Sequence, residues 1–174
     1  AEQEKRRAER AARIAESERQ ERIAEARRQD EHEAYENAWH GLGPQRFEFA
    51  PGKFDTVELI GDADGSEPYL VAKQIGSIVE VVTLKRMRDR HGEFAAFALH
   101  GIDGDYRGLQ RLYPSFKKYT IAFRPGQFDG AHCVIGSLDA KRVYSAEGFA
   151  TAASVWLAET AIKGDTCAVI VAMN

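Results

Sequence analysis

The sequence lacks any apolar run long enough to cross a membrane, and it contains only two cysteines. A transmembrane helix needs about 20 consecutive apolar residues, so we predict no membrane span. Cys133 and Cys167 are too far apart in sequence for a zinc knuckle or a CxxC redox motif. Both lie in apolar segments typical of strands, which leaves a disulfide and two buried free thiols as open alternatives.

The usual motifs of nucleotide, hydrolase and metal chemistry are also absent. The sequence has no GxGxxG or GxxxxGK[ST] loop, no HExxH pair and no GxSxG elbow. Carboxylates do cluster in two turns, but the glycine positions there do not match a calcium-binding loop. Asp and Gly favour turns for local reasons, so we interpret both clusters as ordinary turns. We therefore predict no cofactor and no metal site; the turns in question contain Asp62, Asp64 and Glu67, and Asp103 and Asp105.

Charge of one sign is not in excess either. The formal net charge is −3, which argues against a general polyanion-binding chain, although a local basic patch remains compatible with it. Hydrophobic residues make up 44% of the chain and charged residues 29%, a composition typical of a folded globular protein.

Glycine and proline are missing from the first 36 residues, which consist mainly of Ala, Glu, Arg and Gln. These residues favour helix, and opposite charges recur four residues apart, as in Glu2 with Arg6. Ile14 and Ile23 are the large apolar residues of the early arm, and they fit no heptad register. We therefore predict a charged helical arm over residues 1–42, either a spacer or a weak coiled coil that leaves homo-oligomerisation open.

The end of the arm is more apolar than its start. Tyr35, Ala38, Trp39 and Leu42 recur at helical spacing, so we expect this end to dock on the domain that follows. Glycine and proline then end the helix, at Gly41, Gly43 and Pro44.

Residues 43–174 alternate between strand-like runs and turn signals. Strands are predicted in RFEFA, TVELI, YLVAKQIGSIVEVVTLKRM, EFAAFALHGI, YTIAF, HCVIGSLDAKRVYS and TCAVIVAM. One helix is predicted near the C-terminus, with Ser145 as its N-cap, Phe149 and Trp156 on its apolar face, and Gly164 as its stop. The predicted fold is α+β: a long N-terminal charged helix, then a compact domain with a mostly antiparallel sheet and this one well-formed packed helix.

The most basic stretch is LKRMRDRHGEF, from Leu84 to Phe94. If His91 and Gly92 form the tip of a hairpin, strand alternation places Arg86, Arg88 and Arg90 on one face. The other face then carries Lys85, Met87 and Asp89. Aligned guanidinium groups can bind the carboxylates of a partner protein or phosphates. Charge on an edge hairpin can equally serve to prevent sheet-to-sheet association.

A hydrolase site is the main alternative to a binding surface. Cys133 and a histidine, His100 or His132, could form a nucleophile and base, and Asp103 or Asp105 could orient that base. The segment RGLQRLYPSFKKY mixes basic and aromatic residues, as single-strand nucleic-acid sites do. Its Leu109, Leu112 and Phe116 fall at helical spacing, and we interpret its aromatics as core and its Lys and Arg side chains as solvated.

These patterns favour a non-enzymatic protein-interaction or structural module, in which a helical stalk carries a globular binding domain. Hydrolysis is the alternative, and nucleic-acid binding through the Arg86/Arg88/Arg90 face is a third, less favoured one. The chain starts at Ala1, which fits a mature secreted protein as well as a fragment of a larger one. A periplasmic or secreted location, as in the bacterial cell envelope, is therefore predicted, with the cytoplasm as the alternative.

Overall fold

The computed structural model describes residues 2–115, 118–120, 130–164 and 167–172, with side chains throughout except at 118–120. The elements, in chain order, are helix α1 (Glu2–Trp39), strands β1 (Gln45–Ala50) and β2 (Lys53–Asp62), helix α2 (Pro68–Ala72), a 3₁₀ helix (Gly76–Glu80), strands β3 (Lys85–Asp89), β4 (Gly92–His100), β5 (Tyr106–Leu112), β6 (Lys118–Thr120), β7 (His132–Gly136) and β8 (Val143–Ala146), helix α3 (Phe149–Lys163) and strand β9 (Ala168–Ala172).

The nine strands form one sheet. Its main order is β1-β2-β3-β4-β7-β9-β8, and β5 pairs with β4 and with β6 off this path. Every pair is antiparallel except β8 with β9. The predicted α+β class, with a long N-terminal helix, a mostly antiparallel sheet and a packed helix near the C-terminus, is confirmed.

Strand β4 organises the interior because it is buried on both faces. Phe97 and Leu99 point into a core shared with α2 and α3, where the Phe97 ring stacks on Phe149 at 4.5 Å between centroids. Phe94, Ala96 and Ala98 point into a second core that α1 completes. The alternation of a strand thus gives this short segment two packing surfaces.

Helix α1 has an exposed part and an anchored part. Residues 2–22 are exposed on every side, whereas Ala34, Tyr35, Ala38 and Trp39 are buried in the second core. The predicted docking of the helix end is confirmed for these residues but is wrong for Leu42, which is 66% exposed. The helix ends before Leu42, at Trp39, and left-handed Gly41 (φ +78°) turns the chain away from the domain.

Two local predictions are wrong. The segment 68–80 forms a short helix and a 3₁₀ helix rather than a strand, because Pro68 is preorganised for a first helical turn and Ile75 and Ile78 pack into the core from there. Ser145 is not the N-cap of α3 but part of β8, and Gly148 occupies the cap position. Left-handed Gly164 (φ +64°) does end α3, as predicted.

Residues 168–172 of the apolar TCAVIVAM segment lie inside the sheet, as predicted, because β9 is paired on both sides by β7 and β8, while Thr166 and Met173 lie outside the described residues. This pairing also decides the state of the cysteines. The β7–β9 register sets Cys133 opposite Val171 rather than Cys167, and both cysteines are free and buried.

A tight crossing closes the end of β7. Gly136 has a left-handed backbone (φ +85°), and a Cβ at this position would lie 2.7 Å from Trp156 Nε1 and closer still to the Cys167 carbonyl oxygen. That carbonyl accepts a hydrogen bond from Trp156 Nε1 at 3.0 Å, which ties α3 to the start of β9. The close approach of three elements therefore requires glycine here.

Gly136→Ala should destabilise the fold more than Gly130→Ala does. Gly130 has a similar left-handed backbone (φ +74°) but no atom within 4 Å of an added Cβ. Both variants carry the backbone strain, and Gly136→Ala adds an overpacking cost of about 1–3 kcal/mol. Urea denaturation of the two variants measures the difference, and equal losses in free energy of unfolding would contradict the tight crossing.

Candidate functional site

The basic hairpin has a different turn from the predicted one. Its register pairs Arg88 with Glu93 and Asp89 with Gly92, so the turn residues are Arg90 and His91. The predicted His91–Gly92 tip is wrong because the Asp89 Oδ1 atom accepts the His91 N–H at 2.8 Å, which starts the turn one residue earlier. Arg86 and Arg88 stay on one face of β3, and Arg90 leaves the strand.

Arg88 is charge-compensated on the exposed face of the sheet. Its guanidinium donates to Glu58 at 2.9 Å and to Glu93 at 2.6 Å, and both carboxylates lie on neighbouring strands directly opposite it. The hydrogen bond from Arg88 is the main reason that the pKa of Glu93 lies below its usual value. Arg88 therefore belongs to a cross-strand charge ladder.

Arg90 is held within the turn. Its guanidinium carbon lies 3.5 Å from the centroid of the Phe49 ring, and its Nε atom is 3.7 Å from Asp55 Oδ2. The Asp55 carboxylate also accepts the Arg90 backbone N–H at 3.1 Å. These contacts fix the hairpin tip against β1 and β2, so two of the three predicted binding arginines already have protein partners.

Arg86 is different. Within the part of the chain that the structure describes, its side chain has no ion pair and no hydrogen bond, and the Nε atom is buried without a partner. A bulge in β2, between Leu59 and Gly61, lies opposite Arg86 and breaks the regular pairing there. Bulges redirect side chains and end regular pairing, and Arg86, which lies opposite this one, lines a pocket.

The Arg86 pocket has a volume of about 240 Å³. Apolar and aromatic residues from three segments form most of its wall, and four polar residues contribute the rest. The lining residues are Ser66, Glu67, Pro68, Tyr69, Arg86, Glu93, Phe94, Ala95, Leu112 and Pro114.

The acidic turn GDADGSEP forms the rim of this pocket, and its carboxylates accept hydrogen bonds from within the same turn. Glu67 Oε1 accepts the Asp64 N–H at 3.2 Å and Oε2 accepts the Gly65 N–H at 3.0 Å. Asp64 Oδ1 accepts from the N–H and the hydroxyl of Ser66. Gly65 also crosses Gly76 so closely that a Cβ on it would lie 2.5 Å from the Gly76 carbonyl oxygen. These carboxylates thus serve to hold the turn.

The residues predicted for hydrolysis are partly brought together. His100 and His132 are direct cross-strand partners, and with Cys133 and Trp39 they line an open cleft of about 450 Å³. Burial lowers the pKa of His100, and His132 and His40 lower it further, which favours the neutral ring at pH 7.

The described residues of that cleft do not form the hydrogen-bonded arrangement that would activate Cys133 as a nucleophile. Burial raises the pKa of Cys133 to about 12, so the thiol is protonated at neutral pH, and its sulfur lies 3.9 Å from the Val134 carbonyl oxygen. The His132 Nδ1 atom interacts with the Gly130 carbonyl oxygen at 2.9 Å. Asp103 binds Arg107 and accepts the Asp105 N–H at 3.1 Å, so neither aspartate orients a histidine in a described hydrogen bond.

The polar cluster that sequence reasoning missed lies on the other face of β3. Asp89, with a side chain that is 0% exposed, accepts hydrogen bonds from the Tyr35 hydroxyl at 2.7 Å, from Arg111 Nη1 at 3.1 Å and from the Tyr113 hydroxyl. Arg111 Nη1 also donates to the Tyr35 hydroxyl at 2.8 Å. Burial raises the pKa of both tyrosines, so their hydroxyls stay protonated and can donate.

This Asp89 network docks α1 on the sheet, together with one more contact of β3. Lys85 Nζ donates to the Trp39 carbonyl oxygen at 2.5 Å and lies 4.6 Å from the Trp39 ring centroid, at the negative end of the helix. The prediction that the arginines of RGLQRLYPSFKKY are solvated is wrong for Arg111, because residues 106–112 form a strand instead of a helix. Phe116 and Lys117 lie outside the described residues.

One signal in the sequence could have revealed the network. Alternation places Asp89 on the same face as Met87, and Arg111 on the same face as Leu109 and Tyr113. A charge among apolar residues on a strand face indicates a buried pair rather than a solvated one.

Searches for similarity found no matching family model, no matching curated protein and no matching solved structure. Among the described residues, no cluster of three or more His, Cys, Asp or Glu side chains could hold a metal ion. No described helix combines the length and apolar character that a membrane crossing requires.

Asp89→Asn should destabilise the protein far more than Glu58→Gln. Both changes neutralise a carboxylate paired with an arginine, but removing Asp89 leaves the Arg111 charge buried without its counter-ion. Breaking a buried pair costs about 3–5 kcal/mol, whereas an exposed pair contributes about 0–1 kcal/mol. Urea denaturation of both variants checks this expectation. Similar losses would mean that the Asp89 network does not hold the helix in place.

Cys133 should react slowly with iodoacetamide in the folded protein at pH 7.5. Its thiol is buried and protonated, and the reactive species is the thiolate. Mass spectrometry should find little alkylation of the native chain and two modified cysteines after unfolding in urea. Rapid modification of Cys133 alone in the native chain would instead support the hydrolase prediction.

Proposed function

We propose that this chain is a non-enzymatic protein-interaction module, in which α1 is a stalk that carries the α+β domain and the domain binds a partner protein. The observation that supports this most is the two-part character of α1. Its final turns are built into the core, while residues 2–22 are exposed on every side. A helix that is polar all round bridges solvent between two attachments, or is stabilised by its own charge pairs.

The exposed part of α1 has little to bury against a second copy. Ile14 is 50% exposed, and the other exposed side chains there are mainly charged or small. Glu2 pairs with Arg6 at 3.2 Å within the helix, as predicted. At 1.5 Å per residue this exposed part projects about 30 Å, which suits a spacer better than an association surface. Homo-oligomerisation through α1 is therefore the second arrangement that the proposal allows.

The two other predicted functions have weaker support. Hydrolysis has a shared cleft for His100, His132 and Cys133, but Cys133 is protonated and its described hydrogen bond leads to a backbone carbonyl. Nucleic-acid binding needs free cations, and Arg88 and Arg90 already contact carboxylates. A setting in the cell envelope stays a proposal, with the cytoplasm as the alternative, and the two free cysteines give it no support.

Site-specific photo-crosslinking in the native host tests the proposal. A photoreactive amino acid would replace Ile14 on the stalk or Arg88 on the exposed sheet face, and Asp139, in the turn at the opposite end of the sheet, would serve as the control. We expect one discrete adduct with another protein from Arg88 and none from Asp139. An adduct of twice the chain mass from Ile14 would identify self-association through the stalk. The absence of adducts at both Ile14 and Arg88 would contradict a protein-interaction function.

A further inference from the structure

The Arg86 pocket contains a cation that the protein itself leaves without an acceptor. A guanidinium N–H that is removed from water and not hydrogen-bonded is unfavourable, and such groups are rare in folded proteins. The Nε atom of Arg86 is of this kind, and the arginine has no ion pair among the described residues. The Nε atom itself is too buried to reach a ligand, but Arg86 lines the pocket, so the rest of its guanidinium group can receive an acceptor that a ligand brings.

The surroundings of Arg86 define the shape of that ligand. Tyr69, Ala95, Leu112 and the prolines at 68 and 114 form an apolar wall beside the guanidinium. The volume of about 240 Å³ is below the roughly 300–1,000 Å³ of pockets for drug-sized molecules. The pocket therefore fits one compact apolar group with an acceptor at its edge. A carboxylate is the best acceptor, because its two oxygens match the parallel N–H groups of arginine.

The pocket is held open by features that do not depend on a ligand. The close crossing of Gly65 with Gly76 fixes the backbone next to Ser66, which lines the pocket. The bonds of Glu67 to its own turn fix the rim. A preformed site loses less entropy on binding than a site that must be ordered by its ligand.

Two carboxylates lie in the same wall, and both are already engaged. Glu67 accepts two backbone N–H groups, and Glu93 accepts a hydrogen bond from Arg88. Neither is within hydrogen-bonding reach of Arg86 in the structure, yet their charges oppose the entry of an anion. Their repulsion limits the affinity, and we expect a dissociation constant of about 0.1–1 mM.

We propose that the Arg86 pocket binds a small carboxylate that carries a compact apolar group, with Arg86 on the carboxylate and Tyr69, Ala95 and Leu112 on the apolar group. The same chemistry is offered by a free organic acid and by the C-terminal residue of a protein chain when its side chain is apolar. This site goes beyond the proposed function, because a free acid could occupy it whether or not the domain binds a protein.

Titration of the full-length ¹⁵N-labelled chain with phenylacetate, followed by two-dimensional NMR, tests the site. We expect saturable shifts of the amide signals of Ser66, Tyr69 and Phe94 below about 20 mM ligand. Phenylacetamide, which has the same shape without the charge, should give no saturable shifts. No saturation with phenylacetate, or equal binding of the amide, would overturn the proposal.

Matched variants assign the effect to Arg86. Arg86→Gln should weaken phenylacetate binding at least about tenfold, whereas Arg90→Gln, in the hairpin turn outside the pocket, should change it less than about threefold. Glu93→Gln should strengthen binding, because it removes an opposing charge from the wall. The spectra themselves report whether each variant is folded. Unchanged binding in folded Arg86→Gln would overturn the proposal.

Short peptides distinguish the two sources of the carboxylate. An acetylated tripeptide that ends in free phenylalanine would be compared with the same peptide amidated at its C-terminus. Arg86-dependent binding of the free-acid peptide alone would identify a chain terminus as an acceptable ligand. Binding of phenylacetate but of neither peptide would identify the ligand as a free organic acid. Equal binding of both peptides would count against recognition of a carboxylate.

Discussion

The buried Asp89 carboxylate is the interaction on which the arrangement of this protein depends. Helix α1 can cover the second core only if the Arg111 charge beneath it is removed from water. Asp89 makes that possible because it accepts from Arg111 and from two tyrosine hydroxyls at once. A buried charge pair of this kind contributes little net stability, but removing either member destabilises the fold because the other charge stays buried without compensation. The docked position of α1 is therefore the one in which Asp89 can accept from Arg111 and from both tyrosine hydroxyls.

The two faces of strand β3 have different roles in the basic hairpin. The buried face, with Lys85 and Asp89, holds the stalk at its end. The other face presents Arg88 to the carboxylates of neighbouring strands and Arg86 to a pocket. A stretch that looks like a single cluster of charge in the sequence thus joins the stalk to the domain on one side and carries the candidate binding site on the other.

Most features that depend on residues close in sequence were predicted correctly, whereas the burial of charges whose partners are distant in sequence was not. The helix, its glycine stop and the central β9 follow from local composition and periodicity, and these predictions are confirmed. The turn of the hairpin failed by one residue because a side chain, Asp89, bonds the backbone there. Arg111 and Asp89 were misplaced because their burial depends on a partner distant in sequence. Arg86 was among the three predicted binding residues, and its binding role stays a prediction. The apolar wall beside it was not predicted, because it comes from segments that only the fold brings together.

Anchoring only one end of a continuous helix has a geometric consequence for everything attached to the other end. Each residue of an α-helix advances the chain by about 1.5 Å and rotates it by about 100°. The core fixes the direction in which Tyr35 points from the helix axis. Because the helix is continuous, this also fixes the direction of each side chain in residues 2–22. A single inserted or deleted residue between these two parts would leave the composition of the stalk unchanged while turning its whole outward charge pattern by more than a quarter circle. Insertions or deletions of about seven residues, which is close to two helical turns, would thus change the length of the stalk but keep the same side chains facing a partner.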